Sequence, residues 1–378
     1  MKLLVNTSNL VIGGAIQVAI SLIDEFSKGN NEMDYVIVCS KQIANQINSK
    51  KYPDNFKFYE LSKSPASLKT RTKIVKELKA IEKAERPDVV FSVFGPSYWT
   101  PQSPHLMGFA LGLITNPDSL FYKKISIKDK IYFFLLNHYQ KYYVLKNSKE
   151  FWCETEDVKA KMVKYLGLIE HHVHVVGNTH ASFYTGYYDR DFVLPTKKNN
   201  EFRLITISAN YLHKNLSVIN QVAKILKEKG VNVTFYLTLP EAEFNAMFTN
   251  AQEQGIVNLG VVSAKDCPFI YEQCDALFLP TLVESFTASY PEAMIMEKPI
   301  LTSDLSFARD TCNDAALYFN PVDPVHISEK IIELMTQDTL RKTLINNGLK
   351  RVASFPSSSR RAEMITTILM ELAKKRNN

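Results

Sequence analysis

The chain has few cysteines, and their spacing is not that of a disulfide-bonded protein. It has five cysteines among 378 residues. They are scattered and form no C-x-x-C pair, which excludes a disulfide framework and disfavours a thiolate metal site. We therefore predict that all five are buried, reduced thiols: Cys39, Cys153, Cys267, Cys274 and Cys312.

Long apolar runs are also missing. The longest of note, residues 131–136, falls far short of the ~20 residues that a membrane helix needs. The first six residues, Met-Lys-Leu-Leu-Val-Asn, carry too short an apolar run for a signal peptide. These features predict a cytoplasmic protein.

A large excess of charge of one sign is missing as well. The net charge is +6, and the basic residues are dispersed rather than gathered in a stripe, so nucleic acid is not an expected partner. Anionic small molecules and anionic lipid surfaces remain candidate partners. A hydrophobic content of 46% over this length is enough for two domains with separate cores.

Short β-branched runs alternate with amphipathic helical patterns, which is typical of α/β domains with parallel sheets. We predict two doubly wound, Rossmann-like domains, residues 1–185 and 202–355, that face each other across a ligand cleft. The polar, aperiodic segment 186–201 is the predicted linker, and 356–378 a final helix that packs back on the first domain. Strands are expected at 2–5, 35–39, 89–94, 109–113, 150–153, 173–176, 203–207, 233–239, 276–279 and 299–302.

Two carboxylates stand eight positions apart after a predicted apolar strand. Glu284 and Glu292 lie where a helix is expected to begin, with Pro291 at its first position. A helix start suits a phosphorylated ligand, and carboxylates accept hydrogen bonds from sugar hydroxyls. The pair therefore indicates a nucleotide-sugar; the alternative is two favourable charges in a helix's first turn.

The motif and its flanks resemble the signature of retaining GT-B glycosyltransferases, in particular family 4 (glycosyl transferases group 1). The matching segments are Gly13-Gly14-Ala15, Val175–Asn178, Ser208 with His213-Lys214-Asn215, Glu284-x7-Glu292 followed by Ala-Met and Lys-Pro-Ile, and Ala315–Pro321. The resemblance implies transfer of a hexose from a nucleoside-diphosphate sugar to a hydroxyl of a glycan or lipid-linked acceptor. It also implies retention of anomeric configuration, no cofactor, no bound metal, and a place in capsule, O-antigen or lipopolysaccharide assembly. The first domain would then face the acceptor, and the second would bind the nucleotide-sugar.

The resemblance assigns roles to individual residues. Glu284 is expected to approach hydroxyls of the transferred sugar, and Glu292 to accept hydrogen bonds from the ribose. Backbone N–H groups are expected to hold the sugar or its phosphate at Ser285, Phe286, Thr287 and Ala288.

Lys214 is the candidate cation for the diphosphate, because a fixed ammonium stabilises charge that develops on the leaving group. Its alternative is a solvated lysine before a helix. The family commonly carries an arginine five positions earlier, where this chain has Ala209 followed by Asn210. Lys214, Asn210 and the Gly13-Gly14 amides would have to suffice, or Arg309 would substitute. Front-side attack assisted by the leaving phosphate is the implied mechanism.

Gly13 and Gly14 have no side chains to block approach of a phosphate or an acceptor, although a plain flexible turn explains two glycines equally well. The full G-x-G-x-x-G fingerprint is missing, which argues against a dehydrogenase. His105, expected just before strand 109–113, is a candidate for positioning or deprotonating the acceptor, with a structural histidine as the alternative. His171, His172, His174 and His180 lack the spacing of a zinc site.

Residues 121–147 contain six lysines and one aspartate interleaved with aromatic residues. This segment could rest on the inner face of the plasma membrane, close to a lipid-linked acceptor. In the alternative that we favour here, a helix packs its aromatic side chains into the first domain.

Two other functions remain open from the sequence. A nucleotide-sugar 2-epimerase of the same fold would use the same donor site, and a non-catalytic two-lobed protein would bind a sugar by closing on it.

Overall fold

The computed structural model describes residues 1–29, 33–186 and 192–375. Within them the chain forms two compact units. The first unit contains residues 1–117, 125–178 and those from 356 onward, and the second contains 118–124 and 179–355. Part of the predicted linker, residues 187–191, lies outside the described residues.

Each unit is built on one parallel sheet. The first sheet has the strand order β3-β2-β1-β4-β5-β6-β7 and the second β10-β9-β8-β11-β12-β13. The strands are β1 (Lys2–Thr7), β2 (Asp34–Ser40), β3 (Phe56–Leu61), β4 (Val89–Ser92), β5 (His105–Gly108), β6 (Glu150–Cys153), β7 (Val173–Val175), β8 (Phe202–Thr206), β9 (Val233–Leu237), β10 (Ile256–Asn258), β11 (Ala276–Leu279), β12 (Ile300–Ser303) and β13 (Ala316–Phe319). The predicted fold of two doubly wound α/β domains is confirmed.

Helices connect the strands. They are α1 (Ala15–Lys28), α2 (Lys41–Ala44), α3 (Arg71–Glu85), α4 (Gly112–Thr115), α5 (Phe121–Lys124), α6 (Ile127–Asn147), α7 (Glu156–Leu166), α8 (Val218–Glu228), α9 (Glu241–Met247), α10 (Cys267–Gln273), α11 (Ser289–Ile295), α12 (Ser306–Cys312), α13 (Pro324–Thr336), α14 (Asp338–Ala353) and α15 (Ser358–Lys375). In the part of the chain that the structure describes, none of them has the length and apolar character of a membrane span.

Each sheet is covered by amphipathic helices whose apolar faces are buried. In the first unit, Ile23 of α1 and Ile365 and Leu369 of α15 join the core of β1 and β4. In the second, Ile219 and Val222 of α8 pack on the sheet. Each such aliphatic side chain contributes about 1.5–3 kcal/mol when fully buried.

The five cysteines are buried and free, as predicted. Burial raises the pKa of Cys153, Cys267 and Cys274 to about 12 each. A thiol with so high a pKa stays protonated at neutral pH and is a poor nucleophile. The cysteines therefore serve the core rather than the chemistry.

One predicted strand is wrong. Residues 109–113 do not form a strand; β5 ends at Gly108, and residues 112–115 form the short helix α4. Just past the end of β5, the Phe109 N–H still donates to the Trp152 carbonyl of β6 at 2.9 Å, but the chain then turns into α4. Four strands, β3, β5, β10 and β13, lie where we expected none.

Candidate functional site

The structure brings Glu284 and Lys214 of the second unit into direct contact. Lys214 closes a 3-10 turn (Leu212–Lys214) that follows β8, and Glu284 lies in the loop that follows β11. Because β8 and β11 are parallel neighbours, both segments leave the same edge of the sheet. The Lys214 ammonium forms an ion pair with Oε1 of Glu284, and the two side chains are only 14% and 11% exposed.

Further hydrogen bonds fix the loop that carries Glu284. The Leu282 N–H donates to the His213 carbonyl at 2.8 Å, and the Thr281 hydroxyl lies 3.2 Å from the same carbonyl. Thr281 also donates to Oε1 of Glu284 at 3.2 Å. Ser119, in the segment that belongs to the second unit, donates to the Leu282 carbonyl at 3.0 Å. The Glu284 carboxylate is therefore held in position by two specific partners, Lys214 and Thr281.

Asn215 links three strand ends at this edge. Its backbone is left-handed, with φ of 55°, a conformation that asparagine tolerates better than most residues. Its buried side-chain amide donates to the carbonyls of Pro280 at 3.1 Å and Pro321 at 2.9 Å. The sequence signal for this role is an asparagine directly after Lys214, at the position where the 3-10 turn ends.

The loop after Glu284 alternates between buried and partly exposed residues. Ser285 and Thr287 are buried, whereas Phe286 and Ala288 are partly exposed. The Ser285 hydroxyl is buried without a hydrogen-bond partner among the described residues. A buried hydroxyl without a partner costs free energy, so Ser285 has capacity for a further hydrogen bond beside Glu284.

The helix begins later than the sequence pattern suggests. It starts at Ser289, so Glu284 lies in the loop and not at the helix start, and Pro291 is the third helical residue rather than the first. The difference has little energetic cost, because none of the first four N–H groups has a partner within the helix. Glu292 does lie in the first turn.

Glu292 lies apart from the ion pair, among aromatic side chains of the same unit. Burial raises the pKa of Glu292, hydrogen bonds from Tyr184 and Tyr271 lower it, and the result is a pKa of about 7. Its carboxyl group is thus present in both protonation states near neutral pH.

The resemblance assigns Glu292 to the ribose of a nucleotide-sugar, and on that hypothesis donor affinity should depend on the protonation of Glu292. Ribose hydroxyls donate better to a carboxylate than to a carboxylic acid, so affinity should fall as the pH drops from 8 through about 7. The stability effect has the opposite sign: the folded state binds the proton more tightly than the unfolded chain, so this group's contribution falls as the pH rises towards 7. Calorimetric titration of donor into the native chain and Glu292→Gln across this range tests it; an unchanged pH profile in Glu292→Gln would contradict the assignment.

The remaining second-unit candidates differ in how far they are engaged. Asn210 is partly exposed in the loop between β8 and the 3-10 turn. Arg309 is already paired: its guanidinium bonds to both carboxylate oxygens of Asp304 at 2.7 and 2.9 Å and lies 3.7 Å from the centre of the Tyr318 ring. An arginine so engaged is a poor substitute for the one missing at Ala209.

In the first unit, Gly13 and Gly14 directly precede helix α1. Gly13 has φ of 82°, which favours glycine, and Gly14 occupies the N-cap position with ordinary helical angles. A Cβ added at Gly14 would meet no atom within 4 Å among the described residues. Packing within the fold therefore does not require the second glycine, which leaves room for a ligand to approach the backbone.

The structure places His105 inside β5 and not before a strand. It is buried, with Nδ1 2.9 Å from the Asn147 carbonyl and Nε2 2.9 Å from the Ser92 hydroxyl. Burial lowers its pKa to about 4. These contacts fit the structural alternative, in which the neutral ring joins β4, β5 and α6.

The histidines near β7 contact a carboxylate. His172 Nδ1 and His174 Nε2 lie 2.7 and 3.1 Å from the two carboxylate oxygens of Glu150. Over the described ranges, no three His, Cys, Asp or Glu side chains are arranged to hold a metal ion.

Comparison with known proteins shows which family and which structures the chain resembles. Residues 189–351 match the family described as glycosyl transferases group 1. The chain is 28% identical over 104 residues to O-antigen chain mannosyltransferase B of Escherichia coli, which covers 28% of the chain and 27% of that protein. It is 26% identical over 170 residues to the capsular polysaccharide biosynthesis glycosyltransferase CapM of Staphylococcus aureus, covering 42% and 43%. The chain thus spans less than half the length of either relative.

A solved structure covers nearly the whole chain. The Anabaena protein Alr3699/HepE, in complex with UDP and glucose, superposes with a TM-score of 0.69 over 98% of this chain and 99% of its own, at 12% identity. At that identity the likeness establishes the fold alone. The chain has the GT-B fold, and its residues 189–351 match the family described as glycosyl transferases group 1.

Proposed function

We propose that the protein is a glycosyltransferase that moves a hexose from a nucleoside-diphosphate sugar to an acceptor hydroxyl with retention of anomeric configuration. The observation that carries the proposal is the contact between Lys214 and Glu284 at the carboxyl edge of the second sheet. The bond that breaks in the donor joins the sugar to the diphosphate. Glu284 would face the sugar, and Lys214 the diphosphate.

The two charged groups have separate tasks. Lys214 is placed to neutralise the diphosphate as the bond between the anomeric carbon and the phosphate oxygen breaks. Glu284 accepts hydrogen bonds from sugar hydroxyls, and these strengthen as the sugar becomes electron-poor. The acceptor oxygen forms its new bond on the same face, and its proton passes to the departing phosphate oxygen. No protein nucleophile is needed in this sequence.

Glu292 and the neighbouring loop complete the proposed donor site. Glu292 would bind the ribose, while Ser285, Phe286, Thr287 and Ala288 present backbone N–H groups to the sugar or phosphate. Ser285 adds a free hydroxyl. Asn210 and the Gly13-Gly14 amides remain proposed donor contacts.

The setting that we propose is surface-polysaccharide assembly in the cytoplasm, with a glycan or lipid-linked acceptor. The support is that the two relatives are named for O-antigen and capsular polysaccharide, and that the neighbouring fold was solved with UDP and glucose. Peripheral membrane contact through residues 121–147 belongs to the same proposal.

Thermal shift with UDP-, GDP- and ADP-sugars is the first test. A donor present at 100 times its Kd should raise the free energy of unfolding by about 2.7 kcal/mol. The best donor is then incubated with the protein alone and with glycan acceptors, and the products are examined by NMR. We expect slow hydrolysis without acceptor and a glycoside of unchanged configuration with it.

The same experiment separates the alternatives. A 2-epimerised sugar from donor alone would replace the transferase with an epimerase. Donor binding without any turnover, across glycan and lipid-linked acceptors, would favour the non-catalytic sugar-binding protein.

A further inference from the structure

A short segment from the first half of the chain belongs to the second unit. Residues 118–124 pack with residues 179–355, whereas residues 1–117 and 125–178 form the first unit. Pro117 helps to end helix α4, because the residue before a proline is disfavoured in the helical conformation. We call residues 118–124 the crossing segment. The chain leaves the first unit and returns to it within these seven residues.

The Ser119 hydroxyl makes two hydrogen bonds in the crossing segment. It accepts from the Phe121 N–H at 3.2 Å, which ties down the start of α5. It also donates to the Leu282 carbonyl at 3.0 Å, across 163 positions of sequence. A hydroxyl can do both, because it carries one donor and two acceptor sites. The bond to Leu282 therefore requires a side chain that can donate as well as accept.

Leu282 joins the two candidate loops of the donor site. It is 3% exposed, and its N–H donates to the His213 carbonyl at 2.8 Å. His213 directly precedes Lys214, and Leu282 stands two residues before Glu284. One backbone group of Leu282 is thus bonded to the turn that carries Lys214, and the other to Ser119. The peptide planes on both sides of Leu282 are fixed, which limits the freedom of the backbone that leads to Glu284.

We propose that Ser119 is a positioning residue: through the Leu282 carbonyl, the crossing segment holds the Glu284 loop in place against the Lys214 turn. A displacement of about 1 Å at a reacting group can lower a rate about 10²-fold. Diphosphate affinity should change less, because the turn of Lys214 is closed by its own hydrogen bond, from the Lys214 N–H to the Tyr211 carbonyl at 2.8 Å. The kinetic consequence rests on the proposed transferase function, whereas the placement of the loop can be measured without turnover.

Three variants of the full chain separate the two hydrogen bonds of Ser119. Ser119→Ala loses both. Ser119→Asp can still accept from the Phe121 N–H, but its carboxylate has no proton to donate to the Leu282 carbonyl. Ser119→Thr keeps both. The matched control is Ser328→Ala, which removes a hydroxyl that donates to the Pro324 carbonyl at 2.7 Å in helix α13 of the same unit.

We expect Ser119→Ala and Ser119→Asp to lower kcat by about 10–10²-fold while diphosphate affinity stays within about threefold of native. Ser119→Thr should recover most of the turnover, and Ser328→Ala should keep native kcat. Hydrogen exchange, followed by mass spectrometry, measures the loop directly. The Leu282 amide should exchange at least about tenfold faster in Ser119→Ala than in the native chain.

Native turnover in Ser119→Asp would overturn the proposal, because Ser119 would then only stabilise the start of α5. An equal loss of kcat in Ser328→Ala, or an equal fall of kcat and diphosphate affinity in Ser119→Ala, would overturn it in favour of a general loss of structure. Failure of the native chain to transfer any hexose would refute the proposed function instead. The Leu282 amide then decides alone: faster exchange in Ser119→Ala supports the placement of the loop by Ser119, and unchanged exchange refutes it.

Discussion

Glu284→Gln is expected to lower kcat by about 10²–10³-fold while changing the affinity for the nucleoside diphosphate by less than about threefold. Glutamine keeps the size of the side chain and can still accept a hydrogen bond from Thr281, so the loop should stay in place. The negative charge that binds the sugar hydroxyls most strongly in the transition state is lost. Steady-state turnover and calorimetric titration of the diphosphate measure the two effects separately.

The matched control is Glu272→Gln, which alters an exposed glutamate of α10 in the same unit. It should leave both kcat and affinity unchanged. A Glu284→Gln variant with native turnover would show that the carboxylate has no role in transfer.

Lys214→Met should lose both stability and donor binding. Removing one partner of a mostly buried ion pair leaves the Glu284 carboxylate uncompensated, which for fully buried pairs costs about 3–5 kcal/mol. Because each side chain keeps 11–14% exposure, the lower end of that range is expected. Urea unfolding of the variant gives this free energy directly.

The double variant Lys214→Met/Glu284→Gln separates stability from function. It should recover most of the lost free energy of unfolding, because no buried charge is left unpaired, yet it should remain inactive. If the two substitutions simply add, the ion pair does not couple the two segments in solution.

Much of the fold follows from local pattern. The buried parallel strands β1, β2 and β11 are continuous apolar runs, and α8 has a clean helical stripe. Strand β3 (Phe56–Leu61) escaped prediction because Lys57 and Glu60 interrupt its apolar residues. It lies at a sheet edge, where one side of the strand has no neighbouring strand to pair with.

The sequence identifies the candidate site residues but does not show which of them contact each other. Glu284 and Lys214 are 70 positions apart, and only the pairing of β8 with β11 brings their loops together. The role of Asn215 depends on two carbonyls supplied by distant segments, which no local pattern reports. Helix α6 shows the limit in reverse: the favoured alternative, in which it packs its aromatic side chains into the first domain, is wrong for Tyr132, Phe134 and Tyr142, which are 55–59% exposed.

The most direct test of the donor site is calorimetric titration of the nucleoside diphosphate into Lys214→Met and Arg309→Met, well below their unfolding temperatures. We expect Lys214→Met to bind at least tenfold more weakly than the native chain, a loss of about 1.4 kcal/mol or more. Arg309→Met should bind normally, because its guanidinium is already paired with Asp304. Native affinity in Lys214→Met, with a loss in Arg309→Met, would contradict the assignment of Lys214 as the cation that holds the diphosphate.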